Sequence, residues 1–358
     1  MSTPTDADAD PAAGVGGTGA TATGPLLETR DLRVHFPLRK RGRRGKSGVV
    51  KAVDGVDLRV DPGETLGLVG ESGCGKSTLG SAVMGVRPEA RGEVRYRSGQ
   101  GRVLDAAAVS GADLAAYRRE VRMVFQDPHA SLNPRMTLLD IIGEPLRVLL
   151  GVGGSELEDR VTAILRRVGL RPDHLRRYPH AFSGGERQRV SIARALVCEP
   201  RLVVADEAVS ALDVSVRSQI LNLLQDLQDD MGLTYLFISH DLSVVEHLCD
   251  RVAVMYLGRV VETGPTADIY ADPRHPYTEA LISAVPIPDP RMRGSRERIR
   301  LRGELPDPAD PPAGCPFHTR CAYATDRCAN EAPPLREVAP GRLAACHYAE
   351  ELTLSGVS

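Results

Sequence analysis

The sequence predicts an α/β fold, in which short buried strands alternate with helices. Three apolar runs of strand length carry this prediction, at residues 64–70 (ETLGLVG), 202–207 (LVVADE) and 233–242 (LTYLFISHDL). Segments with helical spacing of apolar residues lie beside them, such as VSVRSQILNLLQDLQ at 214–228. Strands and helices that alternate in this way are typical of an open α/β sheet.

Residues 70–78, which follow the first of these strands, read GESGCGKST. This is a phosphate-loop pattern, in which two glycines flank four residues and are followed by Lys and then Ser or Thr. The glycines allow several backbone N–H groups to converge on one anion at the start of the next helix. Lys76 would reach the β- and γ-phosphates, and Ser77 would complete the coordination of a bridging Mg²⁺. The predicted ligand is therefore a nucleoside triphosphate.

Length and composition limit the class of protein. With 358 residues the chain can form one large domain plus an appendage, or two domains, and its net charge of -2 gives no general reason to expect nucleic acid. The sequence has no run of about twenty apolar residues, and its acidic start lacks the basic segment of a signal peptide. We expect a cytoplasmic protein, in which seven cysteines favour metal, cluster or free thiols over disulfides.

The N-terminal part begins with residues 1–24, which contain almost no large apolar side chain and are predicted to be disordered. Two strand patterns follow, at 26–36 and 49–60, and a basic segment at 39–46 separates them. That segment is either a patch for nucleic acid or lipid headgroups or, as we favour, a solvated hairpin loop. Phe36 is either a stacking surface for adenine or a core residue of its strand.

The middle of the chain contains a strand that ends at Gln126, followed by turn-forming residues. An amide side chain in that position could reach a metal ion and an attacking water. From Met136 to about Arg176 the apolar residues have helical spacing, as in LEDRVTAILRRVGL, which predicts a helical insertion into the α/β core.

A second helix start lies at Ser183, which has the features of an N-cap, with Glu186 three positions later as in a capping box. Gly184 and Gly185 have no side chains, so the backbone N–H groups at this helix end are not covered. The segment is either an ordinary capped helix or a second anion-binding helix end that faces a γ-phosphate.

Acidic and imidazole side chains stand at two strand ends. Asp206 could hold Mg²⁺ through water, and Glu207 could polarise the attacking water. His240 ends the next strand, where ligands gather in open α/β sheets. The hairpin pattern RVAVMYLGRVVETG follows, and the chain becomes Pro-rich from about Ala267.

From Leu26 to Gly264 the residues resemble the ATP-binding cassette (ABC) family. The resemblance rests on six motifs in family order: the phosphate loop, Gln126, the signature FSGGERQR, the VVADE strand, the D-loop SALD and the switch histidine His240. The signature begins with Phe182 where Leu is commonest, has Glu186 where Gln is usual, and Ala208 and Val209 stand where Pro and Thr are common. The catalytic pair is intact.

The resemblance implies a P-loop NTPase fold with an antiparallel β subdomain, a helical subdomain and a small Cys-containing C-terminal extension. It implies that hydrolysis is assisted by Glu207, His240 and Gln126, and that Mg²⁺ is held by Ser77, Gln126 and Asp206. The signature residues Ser183, Gly184, Gly185 and Glu186 would act across a subunit interface, and Ser210 and Asp213 belong to the D-loop. The residues expected to bind ATP are Phe36, Gly70, Glu71, Ser72, Gly73, Cys74, Gly75, Lys76, Ser77 and Thr78.

A narrower resemblance is to the ATPase subunits of bacterial dipeptide, oligopeptide and nickel importers, most of all the second, F-type subunit. It rests on FQDPHASLNPRMT, RHPYTEALISAVPIPDP and RGELPDPADPPAGCPFHTRC. It implies an ATP-binding domain at 25–266, a C-terminal extension at 267–350 and a tail at 351–358.

The expected partners are a sister ATPase in a heterodimer, two transmembrane permeases and an extracytoplasmic peptide-binding protein, without nucleic acid. The subunit would lie on the cytoplasmic face of the cell membrane and drive peptide uptake. The alternatives are a nickel or small-solute importer, a soluble cassette ATPase acting on ribosomes or DNA, and a redox-sensing module with vestigial turnover.

Four cysteines lie in the Pro-rich extension with five, six and seventeen residues between them, which is wider than common zinc spacings. Small domains with little apolar core often need a metal. Similar importer subunits are thought to hold a [4Fe-4S] cluster here; zinc or unligated thiols are the alternatives, and His318 and His347 could substitute as ligands. The four are Cys315, Cys321, Cys328 and Cys346, whereas Cys74, Cys198 and Cys249 are predicted to be small buried residues.

Overall fold

A computed structural model describes most of the chain. The predicted disordered tail, apart from Gly24, and the basic segment at 39–46 lie outside the described residues. So do the Pro-rich residues 286–298, which carry the end of one importer-like stretch. The described residues are 24–38, 48–127, 131–285, 299–301 and 303–356.

Five adjacent parallel strands form one side of an eight-stranded sheet, out to its edge. They are β3 (Thr65–Val69), β6 (Val121–Val124), β7 (Leu202–Asp206), β8 (Thr234–Ile238) and β9 (Arg251–Tyr256), in the spatial order β9-β3-β8-β7-β6. Every residue of β3, β7 and β8 is buried, as expected for parallel strands covered on both faces. All three strands end at the same edge of the sheet, which brings the loops that follow them together.

A separate four-stranded antiparallel sheet covers one side of this core, with the order β2-β1-β4-β5. Its strands are β1 (Leu27–Pro37), β2 (Val49–Val60), β4 (Ala90–Arg97) and β5 (Val103–Asp105). The expected antiparallel β subdomain is thus confirmed. Helix α1 (Lys76–Val83) lies between the two sheets, and α2 (Gly111–Glu120) is a helix that the sequence analysis did not identify.

The expected helical insertion is also confirmed, because α3 (Leu138–Leu150) and α4 (Gly154–Arg167) occupy the predicted segment. The Thr137 hydroxyl caps α3 by accepting a hydrogen bond from the N–H of Asp140. Three further helices pack on the central sheet or on this subdomain: α5 (Gly184–Leu196), α6 (Val214–Met231) and α7 (Leu242–Leu248).

The C-terminal extension is joined to the core sheet. Strand β12 pairs antiparallel with β10, with Glu262 opposite Ala344, so the extension continues the sheet of the ATP-binding domain. The last residues also pack, since Leu354 is buried and the N–H of Ser355 donates to Glu279 at 2.8 Å. The elements are β10 (Arg259–Pro265), α8 (Thr266–Ala271), α9 (Pro276–Ser283), α10 (Asp326–Asn330), β11 (Arg336–Ala339) and β12 (Arg342–Ala344).

None of the helices in the described ranges combines the length and the apolar character needed to cross a membrane.

Candidate functional site

The phosphate loop leaves β3 and enters α1, as the sequence predicts. Two of its glycines have no room for a side chain. A Cβ on Gly70 would lie 2.2 Å from the carbonyl oxygen of Met255, and one on Gly75 would lie 1.9 Å from that of Ala52. Both have positive φ, +151° and +109°, which favours glycine. The shape of the phosphate loop is therefore determined by β3, which precedes it, and by the backbones of β2 and β9, which lie against its glycines.

The side chain of Lys76 lies inside this loop and is 5 % exposed. Its ammonium group donates to the carbonyl oxygens of Gly70, at 2.7 Å, and Glu71, at 3.0 Å. These contacts hold the positive charge where the backbone N–H groups of a phosphate loop converge, so Lys76 is positioned to meet a phosphate.

Two oxygen ligands suited to Mg²⁺ lie next to the loop. The Ser77 hydroxyl donates to Oδ1 of Asp206 at 3.0 Å, and neighbouring ligands of an octahedral Mg²⁺ are also about 3 Å apart. Burial raises the pKa of Asp206, and the nearby Glu207 raises it further. A bound cation would offset both effects. The two oxygens fit the predicted ion, whereas the third predicted ligand, Gln126, bonds to Glu207 instead.

Glu207 is the centre of a hydrogen-bonded group. The Gln126 amide donates to Glu207 Oε2 at 2.7 Å, and His240 Nδ1 lies 3.1 Å from Glu207 Oε1. The backbone of Glu207 has φ +46°, an uncommon conformation for Glu, and its N–H donates to Ile238 at 2.9 Å. The structure thus brings together the three residues predicted to assist hydrolysis, from three different strand ends.

The second predicted helix end is capped as expected. The Ser183 hydroxyl accepts from the N–H of Glu186, whose carboxylate accepts from the N–H of Ser183 at 2.9 Å. The latter bond is the main cause of the lowered pKa of Glu186. A Cβ on Gly185 would lie 2.5 Å from the side chain of Val216 of α6, so a larger residue at position 185 would overlap with α6. Within the described residues no hydrogen bond or ion pair joins this helix end to the phosphate loop.

Comparisons with known proteins agree with this geometry. The family model described as "ABC transporter" matches residues 53–210, and the model "Oligopeptide/dipeptide transporter, C-terminal region" matches residues 261–328. The chain is 51% identical over 325 residues to the putative oligopeptide transport ATP-binding protein YkfD of Bacillus subtilis, covering 90% of this chain and 95% of the relative. This chain belongs to the ABC transporter family.

Two other curated relatives are similarly close. The dipeptide transport ATP-binding protein DppF of Haemophilus influenzae is 48% identical, with 90% of this chain and 97% of the relative covered. The oligopeptide transport ATP-binding protein OppF of Salmonella typhimurium is 50% identical, with 87% and 92% covered.

Solved ABC structures share the fold. CbiO1 of Clostridium perfringens, part of the ABC transporter complex cbiONQ, matches with a TM-score of 0.57 and 26% identity over 69% of this chain and 91% of that one. The ATP-binding cassette MJ0796, solved as a dimer in a post-hydrolysis state bound to ADP and Pi, also matches with a TM-score of 0.57 and 26% identity, over 67% and 99%. The P-loop NTPase fold expected from the resemblance is confirmed.

The D-loop of this ABC protein is tied to the catalytic group and to the next helix. The Ser210 hydroxyl donates to the carbonyl oxygen of Glu207 at 3.0 Å. Asp213 caps α6 by accepting from the N–H of Val216 at 2.9 Å. A movement of the D-loop would therefore displace Glu207 directly.

Three of the four departures from the family pattern are buried apolar residues. Ala208 and Val209 are 1 % and 3 % exposed, and Phe182 is 4 % exposed with its ring edge-on to His174. They belong to the hydrophobic core beside the site and leave the catalytic groups in place. Phe36 is partly buried against the antiparallel sheet, with the guanidinium of Arg87 5.8 Å from its ring. Adenine stacking on Phe36 stays a prediction.

Two residues of the extension contact the phosphate loop, and the sequence analysis did not identify them. The N–H of Glu71 donates to the hydroxyl of Tyr277 at 2.8 Å. Arg320 donates to both carboxylate oxygens of Glu71, at 2.7 and 3.0 Å. Both residues stand in the importer-like stretches RHPYTEAL and PFHTRC, but no local pattern connects them to a loop more than 200 positions earlier.

The four cysteines of the extension line one cavity of about 20 Å³, enough for about one water molecule. Burial raises the pKa of Cys315, and it raises those of Cys321 and Cys346 to about 11. These three thiols are therefore neutral at pH 7, whereas metal binding needs thiolates. In the described part of the chain, no three His, Cys, Asp or Glu side chains form a group that could hold a metal ion. The structure therefore does not support the predicted iron-sulfur cluster or zinc. Cys74, Cys198 and Cys249 are buried, as predicted.

Proposed function

We propose that this protein is the ATP-hydrolysing subunit of a bacterial ABC importer that drives the uptake of di- or oligopeptides. The observation that carries the ATPase part is the assembly of Gln126, Glu207 and His240 beside the Ser77–Asp206 pair. The peptide part is supported by the match of residues 261–328 to the oligopeptide and dipeptide transporter C-terminal region, and by the names of the relatives. No residue of this chain is expected to touch the solute.

In this proposal Lys76 and the phosphate-loop N–H groups bind the β- and γ-phosphates. Ser77 and Asp206 would hold Mg²⁺, which neutralises the charge that develops on the phosphates. Glu207 accepts a hydrogen bond from the attacking water and orients it toward the γ-phosphate. Gln126 and His240 keep the Glu207 carboxylate in place, one on each oxygen.

We also propose that the active form is a head-to-tail pair with a sister ATPase. Ser183 and Gly184 are exposed at the helix start, where bare N–H groups and the helix dipole favour an anion. In this proposal the anion is the γ-phosphate of the ATP on the partner subunit, because no bond in the described residues joins this helix end to the phosphate loop of its own chain. The structural neighbour MJ0796 was solved as a dimer.

A groove beside the catalytic group supports the expected docking of a permease at the cytoplasmic face of the membrane. The groove has a volume of about 900 Å³ and exposes Phe125 and Val148, which are 45 % and 74 % accessible. Exposed apolar side chains of this kind mark interaction surfaces. Phe125 precedes Gln126, so a permease segment seated on Phe125 would shift the amide that holds Glu207.

The test is co-expression of the chain with two candidate permeases, a second ATPase and a binding protein, followed by membrane recovery and ATPase assays. We expect co-purification, and turnover stimulated several-fold by peptide-loaded binding protein. Val148→Asp should reduce recovery with the permeases, whereas Val103→Asp, exposed on β5 and not lining the groove, should not. Stimulation by nickel-loaded binding protein alone would identify the metal importer instead, and recovery with ribosomes or nucleic acid would overturn the proposal.

A cluster or metal at the four cysteines stays a prediction. The observation in its favour is that all four side chains line one cavity, and the observation against it is the lack of a ligating arrangement in the described residues. Iron, acid-labile sulfide and zinc should be measured on anaerobically purified protein, together with visible absorption. About four irons and four sulfides per chain, lost in Cys321→Ser, would establish the cluster. Absence of iron, sulfide and zinc would show that the four cysteines are unligated thiols.

A further inference from the structure

We propose that Arg320 of the C-terminal extension is a positioning residue for ATP binding, which acts by neutralising Glu71 and holding it against the side of the phosphate loop. The inference rests on ATP binding at this loop and is independent of the transported solute.

Glu71 is the second residue of the phosphate loop, and its backbone is part of the loop structure. Its carbonyl oxygen accepts from the ammonium of Lys76, at 3.0 Å, and from the N–H of Cys74, at 3.3 Å. Its N–H donates to Tyr277 of α9 at 2.8 Å. The orientation of both peptide groups of Glu71 therefore depends on contacts that include the extension.

The carboxylate of Glu71 places a negative charge in an anion-binding loop, where it would repel a triphosphate. Arg320 compensates this charge. Its guanidinium donates to both carboxylate oxygens in the planar, two-bond geometry that Arg favours, and its side chain is only 7 % exposed. The hydrogen bonds to Glu71 are the main reason that the pKa of Arg320 is raised, so the charge is permanent.

The guanidinium of Arg320 packs against a cluster of aromatic rings. Its guanidinium lies 6.0 Å from the ring of Tyr256, and Tyr256 packs against Phe317 and Tyr277 with ring centroids 5.3 and 4.7 Å apart. Phe317 also lines the cysteine cavity, and Cys321 follows Arg320 in the chain. The extension thus supplies a rigid support that fixes where the guanidinium lies. Leu305 also lies near the loop, since its side chain would be 4.0 Å from a Cβ added to Gly73.

The test measures the Kd of a non-hydrolysable ATP analogue with Mg²⁺, and the KM and kcat of ATP hydrolysis, on the full chain. Arg320→Gln should weaken ATP binding about tenfold and raise KM by a similar factor, because one uncompensated charge then lies near the phosphates. Its kcat should change less than twofold. Arg320→Lys, which keeps the charge but not the two-bond geometry, should lie between wild type and Arg320→Gln.

The double variant Glu71→Gln, Arg320→Gln separates this role from a purely structural one. Removing both charges should restore most of the ATP affinity lost in Arg320→Gln, whereas a mere folding defect of the extension would not be rescued. Glu71→Gln alone removes the negative charge that compensates the guanidinium near the loop, so this variant should bind ATP two- to threefold more tightly. The matched control is Arg336→Gln, which removes another Arg of the extension that pairs with a surface Glu, Glu350, and should leave the Kd unchanged.

The proposal is overturned if Arg320→Gln binds the analogue like wild type, or if the double variant binds as weakly as Arg320→Gln. If Arg320→Gln does not fold, the Glu71→Gln result decides, since weaker ATP binding in that variant contradicts the charge argument. Lys76→Ala provides the reference for loss of nucleotide binding as such. Failure of peptide-stimulated transport would affect the proposed function and not this inference.

Discussion

The phosphate-loop edge of the sheet and the cysteine cavity lie close to the Glu71–Arg320 pair, yet they are built differently. At the phosphate-loop edge, polar and charged side chains meet in direct bonds, such as Lys76 with Gly70 and Gln126 with Glu207. In the cavity the thiols are mostly buried, and burial raises the pKa values of Cys321 and Cys346 to about 11, so these two carry no charge at neutral pH.

The difference shows what each region can do in its present arrangement. The edge places donors and acceptors that suit a triphosphate and a cation next to one another. The buried thiols of the cavity would have to lose protons before they could bind a metal, which costs free energy that only the metal could offset. The following variants test how strongly turnover and stability depend on the phosphate-loop edge, and how the core sheet is joined to the extension that carries the cavity.

The largest effect is expected for Glu207→Gln. The variant keeps the shape of the side chain but removes the carboxylate that accepts from the attacking water, so ATP turnover should fall about 10²–10³-fold while ATP stays bound. Single-turnover assays and nucleotide retention measure this. Glu246→Gln, which changes an exposed Glu of α7, serves as the control and should hydrolyse ATP normally. Wild-type turnover in Glu207→Gln would mean that Glu207 is not the catalytic carboxylate.

A smaller effect, on stability, is expected for Gly75→Ala. Its Cβ would lie 1.9 Å from the carbonyl oxygen of Ala52 in a backbone with φ +109°, so both overlap and strain contribute and the loss should be about 2–4 kcal/mol. Gly63→Ala is the matched control, because Gly63 has φ +77° but nothing within 4 Å of a Cβ, and should cost about 1 kcal/mol. Urea unfolding of both variants gives the comparison. Equal losses would show that the loop can move away from β2.

The smallest effect concerns pH and the joint between the core sheet and the extension. Buried Glu262 of β10 accepts from the backbone N–H groups of Arg274 and His275, and burial raises its pKa to about 7. Between about pH 4.5 and 7 the folded state then binds more protons than the unfolded state, so this residue makes stability fall as pH rises. Burial lowers the pKa of His275 to about 3, which has the opposite effect between about pH 3 and 6.5. The two effects oppose each other in the shared window.

Glu262→Gln should remove the first effect only. We expect the free energy of unfolding of the variant, relative to wild type, to improve by about 1–2 kcal/mol between pH 5 and pH 7. Chemical unfolding at the two pH values measures this, and Glu337→Gln, exposed on β11, provides the control. A difference that does not change with pH would show that Glu262 is ionised throughout the range.

Local sequence patterns predicted the elements that carry the catalytic groups. The phosphate loop, the Ser183 capping box and the strand ends at Asp206 and His240 all lie where the patterns indicated, because glycine, cap residues and short apolar runs impose strong local preferences. Helix α2 was not identified, since its apolar periodicity is weak and only Tyr117 and Glu120 are buried in it.

Contacts between distant segments could not be predicted in the same way. The pairing of β12 with β10 makes the extension part of the core sheet, although its composition indicates a small separate unit. Such pairing depends on which backbone edge is left open after the core has formed, and a three-residue strand carries no signal for that.

The sequence by itself predicted that this chain binds a nucleoside triphosphate and which side chains belong to its phosphate loop, because those residues lie in short motifs with fixed backbone geometry. Only the tertiary structure decided that Gln126 and His240 hold opposite oxygens of Glu207, and that Arg320 pairs with Glu71. The physical reason is that hydrogen bonds and ion pairs form only when the two side chains have particular directions and distances. Residues up to 249 positions apart in the chain reach these positions only when the sheet and the extension pack together.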